Sequence, residues 1–198
     1  MLFLIYNKRV VLMKVYIKNM VCNRCESAVT KAFENLKLPL VELTLGEATL
    51  SRTLSSGEKK ELAAVLHALG FELLEDKTTQ TIEKIKNRII DLVHHQNDKL
   101  KVNFSTYLSG ELGQDYSALS KLFSEVESMT IEHYFIAQKI ERTKELLVYD
   151  ELSLGQIAEQ LNYSSVAHLS NQFKKVTGLT PTHFKKLKDK NRKQIDAL

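Results

Sequence analysis

Cysteine and proline are scarce in this sequence, and long apolar runs are absent. Two cysteines, three positions apart, are too few for the disulfide framework of a small secreted protein. The two prolines, Pro39 and Pro181, leave long stretches free to form regular structure. No apolar run approaches the roughly 18 residues that a membrane-spanning helix requires. These absences favour a globular protein that has no membrane span.

The first residues do not resemble a secretion signal. Apolar residues 1–6 come before Lys8 and Arg9, whereas a signal peptide has its positive charges first and a small-residue cleavage site last. We therefore expect a cytoplasmic protein. Residues 1–12 are interpreted as a possible extension before the first strand.

The composition is that of a globular protein without an obvious catalytic motif. Hydrophobic residues make up 43% and charged residues 26% of the 198 positions. No Ser/His/Asp order, Gly-rich phosphate loop or paired carboxylates stand out, so the sequence does not predict an enzyme. Charge is uneven, because residues 170–198 hold eight Lys or Arg against two Asp. A basic end of this kind suits contact with phosphates.

Residues 108–134 and 157–184 carry the same pattern about fifty positions apart. The offset is 49 before an inferred turn and 50 after it, as one residue inserted in the turn would give. We interpret the pattern as two helix-turn-helix units, bridged by a helix over Thr130–Val148. The paired residues are Leu108 and Ile157, Leu112 and Leu161, Leu119 and Leu169, Phe123 and Phe173, Val126 and Val176, Thr130 and Thr180, His133 and His183, and Tyr134 and Phe184.

The second helix of each unit is expected to bury one face and to present the other to DNA. The inward residues are Leu119, Phe123 and Val126 in one copy and Leu169, Phe173 and Val176 in the other, with Asp115 and Ser164 as helix caps. Asn171 suits the edge of adenine, and Val166 or Ala167 suits a thymine methyl group. The candidate DNA contacts are Ser117, Ser120, Lys121, Val166, Ala167, His168, Ser170, Asn171, Lys174 and Lys175.

Residues 82–188 resemble the DNA-binding domain of the AraC/XylS family, and a basic tail continues the predicted domain to residue 198. The motif residues are Ile157-Ala158, Tyr163, Leu169-Ser170, Phe173-Lys174-Lys175, Gly178, Thr180-Pro181 and Phe184, with Lys139-Ile140, Thr143 and Leu146-Leu147 in the bridging helix. Asn162 replaces the family's turn glycine, and Asn171 and His168 replace an arginine and an aromatic residue. The resemblance implies an all-α domain that enters two successive major grooves of double-stranded DNA, about 34 Å apart.

Upstream, strand-like and helix-like stretches alternate in the order βαββαβ, the ferredoxin-like arrangement. The strands are expected over 11–18, 41–45, 48–54 and 71–74, with a hairpin turn at Gly46-Glu47. The helices are expected over 23–35 and 58–69, the second closed by Gly70. The sequence thus predicts an α+β protein with a domain over 1–76, a linker over 77–81 and an all-α domain over 82–198.

Cys22 and Cys25 lie where the first strand gives way to the first helix. Two thiolates at this spacing can face a common centre, and the helix N-terminus and Arg24 both favour the thiolate form. Soft sulfur ligands select Cu(I), or another soft ion such as Zn, Cd, Hg or Ag. One chain with two cysteines cannot close a four-thiolate zinc site.

Residues 13–75 resemble the heavy-metal-associated domain of copper chaperones and metal-pumping ATPases. The resemblance rests on Met20-x-Cys22-x-x-Cys25, Ala28-Val29, Gly70-Phe71 and the βαββαβ order, although the family's glycine before Met20 is missing and Val21 replaces a small polar residue. It implies a metal-binding role for Cys22 and Cys25 and a core role for Met20. A thioredoxin-like redox pair is disfavoured, because no proline lies between Pro39 and Pro181 to face a disulfide.

The sequence therefore predicts a transcriptional regulator in which a soft-metal module governs a DNA-binding domain. The alternatives are a redox sensor that forms a Cys22–Cys25 disulfide, a metallochaperone module fused to a DNA anchor, and a scaffold with idle cysteines. The apolar stripe of Ile82, Ile85, Ile89 and Leu92 is expected to pack on its own domain, with a homodimer contact as the alternative. His94 and His95 are expected to be solvated.

Overall fold

A computed structural model describes residues 12–96, 100 and 102–187 of the chain. The chain divides into two compact units, Met1–Asn87 and Arg88–Leu198. Apart from Leu12, the expected extension over 1–12 lies outside the described residues, as does the basic tail from residue 188 onward. Within the part of the chain that is described, no helix is both long enough and apolar enough to cross a membrane.

The first unit contains a four-stranded antiparallel sheet whose strand order is β2-β3-β1-β4. Its elements follow the βαββαβ order that the sequence predicts, and they are β1 (Met13–Lys18), α1 (Asn23–Asn35), β2 (Leu40–Thr44), β3 (Glu47–Leu50), α2 (Ser56–Ala68) and β4 (Glu72–Leu74). Alternate residues of β1, Val15 and Ile17, are buried. They join Phe33 of α1 and Leu62 and Leu66 of α2 in one hydrophobic core.

The β2–β3 turn lies one residue earlier than expected, at Leu45-Gly46, and Glu47 already belongs to β3. Gly46 has a φ of +79°, which glycine adopts at little cost, and its carbonyl accepts a hydrogen bond of 2.9 Å from the Ile17 N–H. A Cβ placed on Gly46 would lie 1.9 Å from Nδ2 of Asn87. The backbone conformation therefore favours glycine at this turn, and a larger residue would also have to displace the Asn87 side chain.

Helix α2 begins and ends with the local signals that its sequence contains. Ser55 and Glu58 form a reciprocal capping box at its start. At its end, Gly70 has a φ of +85° and the Phe71 N–H donates to the Leu66 carbonyl at 2.9 Å. The predicted closure by Gly70 is confirmed.

The expected linker over 77–81 is wrong, because these residues form the first turns of a helix, α3 (Lys77–Ile90). The carboxylate of Asp76 accepts a hydrogen bond of 2.8 Å from the Thr79 N–H, which stabilises the start of the helix. One π-helical turn, Asp91–His95, follows α3. The four residues of the apolar stripe are all at most 1% exposed, so the chain itself buries the face that was considered for a dimer.

The second unit contains a series of helices: α4 (Phe104–Leu112), α5 (Tyr116–Glu127), α6 (Ile131–Tyr149), α7 (Leu154–Gln160) and α8 (Val166–Thr177), followed by a helical stretch over 181–187. Helix α6 contacts α5, α7 and α8, so it joins the two helix pairs as predicted. The expectation of solvated histidines is wrong for His94, which is half-buried with Nε2 3.0 Å from Oε1 of Gln138. It holds for His95, which is exposed.

Candidate nucleic-acid interface and thiol pair

The two helix pairs repeat the same aromatic contact. The rings of Phe123 and Tyr134 lie 5.7 Å apart between centroids, and those of Phe173 and Phe184 lie 5.6 Å apart. These four residues occupy matching positions in the sequence repeat. Phe123 and Phe173 are fully buried, so each pair fixes its second helix on the helix that follows. The sequence duplication is therefore also a structural duplication.

The turns and caps repeat as well. Gly113 in the turn of the first helix pair and Asn162 in the turn of the second both have left-handed backbones, with φ of +62° and +52°. Asn162 thus adopts the left-handed backbone of the turn glycine that it replaces, as the sequence predicts. After the second helices, the side chains of Thr130 and Thr180 accept hydrogen bonds from backbone N–H groups three residues later, at 3.2 and 3.3 Å.

Helices α5 and α8, called the reading helices from here on, each present a polar outer face. In α8, Leu169 and Phe173 are fully buried, while Asn171 is exposed. The other candidates in α8 are also exposed, except for Ser170, which is half-buried; they are Val166, Ala167, His168, Lys174 and Lys175. The structure therefore brings the predicted second-copy contacts onto one accessible surface.

The first reading helix has the same arrangement with fewer charged groups. Ser117 and Lys121 of α5 are exposed and Ser120 is half-buried, whereas Leu119 is fully buried. The Ser117 hydroxyl donates to the capping carboxylate of Asp115, which also accepts from the Ser117 N–H at 2.9 Å. Since that hydroxyl is already engaged, Lys121 is the first-copy candidate most available to DNA.

Two residues expected in the core are instead exposed. Val126 and Val176 hold matching positions in the last turns of α5 and α8, and they are 50% and 49% exposed. The helical period places them on the buried side, but these last turns extend beyond the buried part of each helix. The prediction of an inward side chain was therefore wrong in both copies for the same reason.

The cap of α8 is Ser165 rather than Ser164. The Ser165 hydroxyl accepts a hydrogen bond of 3.1 Å from the His168 N–H. This residue lies 50 positions after Asp115, the cap of α5, and 50 is the offset of the repeat beyond the turn. The repeat itself thus contained the signal that identifies the cap.

Ser164 instead orients His168. Its hydroxyl lies 3.0 Å from Nδ1 of His168, and the ring of Tyr163 meets the imidazole edge-on at 5.2 Å. The Tyr163 hydroxyl donates in turn to Oε1 of Gln172 at 2.7 Å. These contacts hold the exposed imidazole in one orientation and leave Nε2 available to a ligand. Sequence reasoning identified His168 but missed the residues that position it.

A buried lysine supports the same region from α6. Lys139 is only 7% exposed, and its Nζ lies 4.3 Å from the centroid of the Tyr163 ring and 5.1 Å from that of Phe135. A cation over an aromatic face stabilises such packing, most strongly where water is excluded. Lys139 therefore links the bridging helix to the turn that precedes α8.

In the first unit, Cys22 immediately precedes α1 and Cys25 lies in its first turn. Their Sγ atoms are 3.5 Å apart, and both thiols are free and half-buried. The pKa of the Cys22 thiol is lowered from its ordinary value, chiefly by the nearby backbone N–H of Cys25 and further by the Cys25 thiol and by Arg24. Met20 is fully buried, which confirms that it anchors the thiol loop in the core.

The donor set of this site fits a soft ion with low coordination number. Among the described residues, no cluster of three or more His, Cys, Asp or Glu side chains could hold a metal. Two bonds of about 2.3 Å to one ion would hold the sulfurs about 3.8 Å apart at a tetrahedral angle and about 4.6 Å apart in a linear arrangement. The thiols, which lie 3.5 Å apart, would therefore have to separate to share an ion. Sulfur donors favour Cu(I) and similar ions over Mg²⁺ or Ca²⁺.

Residues 108–187 match a family model described as a helix-turn-helix domain. Residues 108–187 therefore form a DNA-binding helix-turn-helix domain. The match includes both reading helices and α6, and it confirms the DNA-binding part of the sequence prediction. It does not extend to the thiol pair.

The chain is also similar to bacterial regulators much longer than itself. It is 27% identical over 128 residues to the Msm operon regulatory protein of Streptococcus mutans, covering 64% of this chain and 45% of the relative. It is 29% identical over 113 residues to an uncharacterized HTH-type transcriptional regulator of Staphylococcus aureus, covering 57% of this chain and 14% of the relative. The chain thus spans less than half the length of these relatives.

Among solved structures, the chain is similar to the C-terminal domain of AraT, a response regulator from Geobacillus stearothermophilus. The identity is 20% and the TM-score is 0.48, and the alignment covers 57% of this chain and 88% of the other.

Proposed function

We propose that the protein is a sequence-specific transcriptional regulator whose DNA affinity responds to a soft metal ion, such as Cu(I), on Cys22 and Cys25. The observation that carries the DNA part is the duplicated reading helix. In both copies a buried apolar face lies opposite an accessible polar one. The match to the helix-turn-helix model supports the same conclusion.

The outer face of α8 contains the groups needed to distinguish base pairs in a major groove. The Asn171 amide can donate to and accept from adenine in a bidentate contact. Val166 and Ala167 offer apolar contact to a thymine methyl group, while Lys174 and Lys175 suit phosphates, which position a protein without reading sequence. Asn171 is therefore the residue expected to contribute most to base preference.

In the first copy, Lys121 is the exposed group expected to contact guanine or a phosphate. Two reading helices on one bridging helix suit two successive major grooves of double-stranded DNA, one helical turn of about 34 Å apart. Under this proposal a single chain contacts both grooves, and a homodimer is not required for recognition.

The metal part rests on the thiol pair and on the unit that holds it. We interpret the first unit as a ferredoxin-like module of the heavy-metal-associated type, an interpretation that its βαββαβ order and antiparallel sheet support. Cys22 and Cys25 would hold the ion as thiolates, and the lowered pKa of Cys22 favours that form. An ion bound by both thiolates would link the start of α1 to the preceding loop through its two metal–sulfur bonds.

A disulfide switch is the second candidate. Two free thiols 3.5 Å apart, one with a lowered pKa, are also suited to oxidation by a peroxide. A disulfide needs an S–S distance of about 2.0 Å, so the thiols would have to approach each other, whereas a shared metal ion would require them to separate. The two candidates differ in whether reductant alone reverses the effect.

The experiment that tests the proposal has two stages. Random duplex DNA is selected on the purified full chain, and the enriched sequence should contain two half-sites about one helical turn apart. Binding to that sequence is then measured with the metal-free chain, with Cu(I), with Zn(II), and after peroxide treatment. Failure to enrich any sequence would contradict sequence-specific recognition, and an effect of peroxide but not of metal would identify the disulfide switch.

A further inference from the structure

A groove between α1 and α2 has no role in the proposed function. It is open to solvent and has a volume of about 600 Å³, which lies within the range of small-ligand sites. Ala32 of α1 is buried in this groove, Val65 of α2 is half-buried, and Leu69, just after α2, is 48% exposed. Leu69 is a large aliphatic side chain that is half exposed to water beside the groove. An apolar ligand that covered it would bury this surface and so be stabilised by the hydrophobic effect.

The charges of the groove are of one sign. Arg24 and Lys31 lie seven residues apart on α1, two helical turns along the same face, and both border the groove. Neither forms an ion pair with a described residue, and both side chains are exposed. The remaining lining is apolar or neutral, with Ser27 and Asn35 as hydrogen-bonding groups, and no acidic residue borders it.

We propose that this groove binds a small amphipathic carboxylate, such as a medium-chain fatty acid. The alkyl chain lies along Ala32, Val65 and Leu69, and the carboxylate pairs with Lys31 or Arg24. The apolar lining alone would accept any alkyl compound, and the two cations select an anionic head group. The site goes beyond the metal response, because it needs neither thiol.

Calorimetric titration of the full chain tests this proposal, with decanoate as the probe and 1-decanol as its uncharged counterpart, both below micelle-forming concentrations. We expect saturable one-to-one binding of decanoate. Lys31→Gln should weaken decanoate binding by about two- to fivefold, the range that one exposed ion pair supplies, without weakening binding of 1-decanol. Lys60→Gln, the same charge change at an exposed position of α2 away from the groove, is the matched control.

A groove-filling variant completes the test. Ala68 borders the groove and is exposed, so Ala68→Trp should block both probes while leaving the thermal unfolding midpoint nearly unchanged. Unchanged decanoate binding in Ala68→Trp would overturn the site, as would equal losses from Lys31→Gln and Lys60→Gln. Retention on phosphatidylglycerol vesicles without binding of free decanoate would also overturn it, because the occupant would then be a lipid surface.

Discussion

The hydroxyl of Ser164 lies 3.0 Å from Nδ1 of His168, in the residues that lead into the second reading helix. The next residue, Ser165, accepts a hydrogen bond from the His168 backbone N–H at 3.1 Å. Adjacent serines therefore act on one histidine in different ways. Ser164 orients the imidazole, which the proposal places at the DNA, whereas Ser165 stabilises the start of the helix.

This division of roles predicts that replacing Ser165 lowers stability, whereas replacing Ser164 lowers DNA affinity. Ser165→Ala removes the cap of α8 and should lower the free energy of unfolding by about 1 kcal/mol. Ser164→Ala is the matched control; it should change stability little and weaken binding to the selected DNA site. Urea unfolding and DNA titration of both variants make the comparison. Equal losses of stability would show that Ser164 also caps the helix.

Asn171→Ala should weaken binding to the selected site by about 1–3 kcal/mol and remove the preference at one base pair. The reason is that Asn171 offers a bidentate contact to a base edge. Lys174 is expected to contact a phosphate, so Lys174→Ala should instead weaken binding to all DNA sequences alike. It should also reduce the magnitude of the slope of log binding constant against log salt concentration by about 0.9. Both variants are titrated against the site and against scrambled DNA. A loss from Asn171→Ala that is equal on both DNAs would exclude this face as the reading surface.

Gly46→Ala should destabilise the first unit strongly. The new Cβ would need a left-handed backbone and would lie 1.9 Å from Nδ2 of Asn87. Gly57→Ala is the control, because Gly57 lies in α2 with open space around its missing side chain, and alanine should be neutral or stabilising there. The double variant Gly46→Ala/Asn87→Ala should recover part of the lost free energy of unfolding, measured by urea denaturation. If Gly46→Ala unfolds like the wild type, the turn at Leu45-Gly46 is wrongly placed.

Acid should weaken the capping box of α2. The Arg52 guanidinium, followed by the Ser55 N–H and hydroxyl, lowers the pKa of Glu58 from 4.5 to about 2. A carboxyl with a lowered folded-state pKa contributes stability above its unfolded pKa, and this contribution is lost as pH falls from about 4.5 towards about 2. Glu58→Gln can keep the capping box but cannot titrate. Between pH 5 and 2 the free energy of unfolding should therefore fall less steeply in Glu58→Gln than in the wild type. Parallel curves for the two proteins would contradict this role.

The sequence was informative wherever structure depends on local patterns. The repeat located both reading helices, and Gly70 located the end of α2. It was misleading wherever the outcome depends on packing in three dimensions. Polar residues 77–81 read as a linker, yet Asp76 caps a helix there and the buried Ile82 and Ile85 hold it in place. The helical period likewise could not show that Val176 lies beyond the buried part of α8.

The candidate sites were predictable in their residues but not in their supporting contacts. The exposed positions of α8 follow from helical spacing around Leu169 and Phe173. The edge-on contact of Tyr163 with His168 depends on how the turn folds back, and spacing alone does not reveal it. The 3.5 Å separation of the thiols likewise required the structure.

A soft ion on Cys22 and Cys25 that controls DNA binding must obey thermodynamic linkage, which can be measured. A ligand shifts an equilibrium only if it has different affinities for the two states, so bound Cu(I) must favour either the DNA-competent or the incompetent form. DNA affinity of the wild type and of the Cys22→Ser/Cys25→Ser variant is measured with and without Cu(I), under constant reductant. We expect Cu(I) to change the affinity of the wild type by about fivefold or more, the lower end of typical coupling, and to leave the variant unchanged. Tight binding of Cu(I) with identical DNA affinity in its presence and absence would contradict the claim.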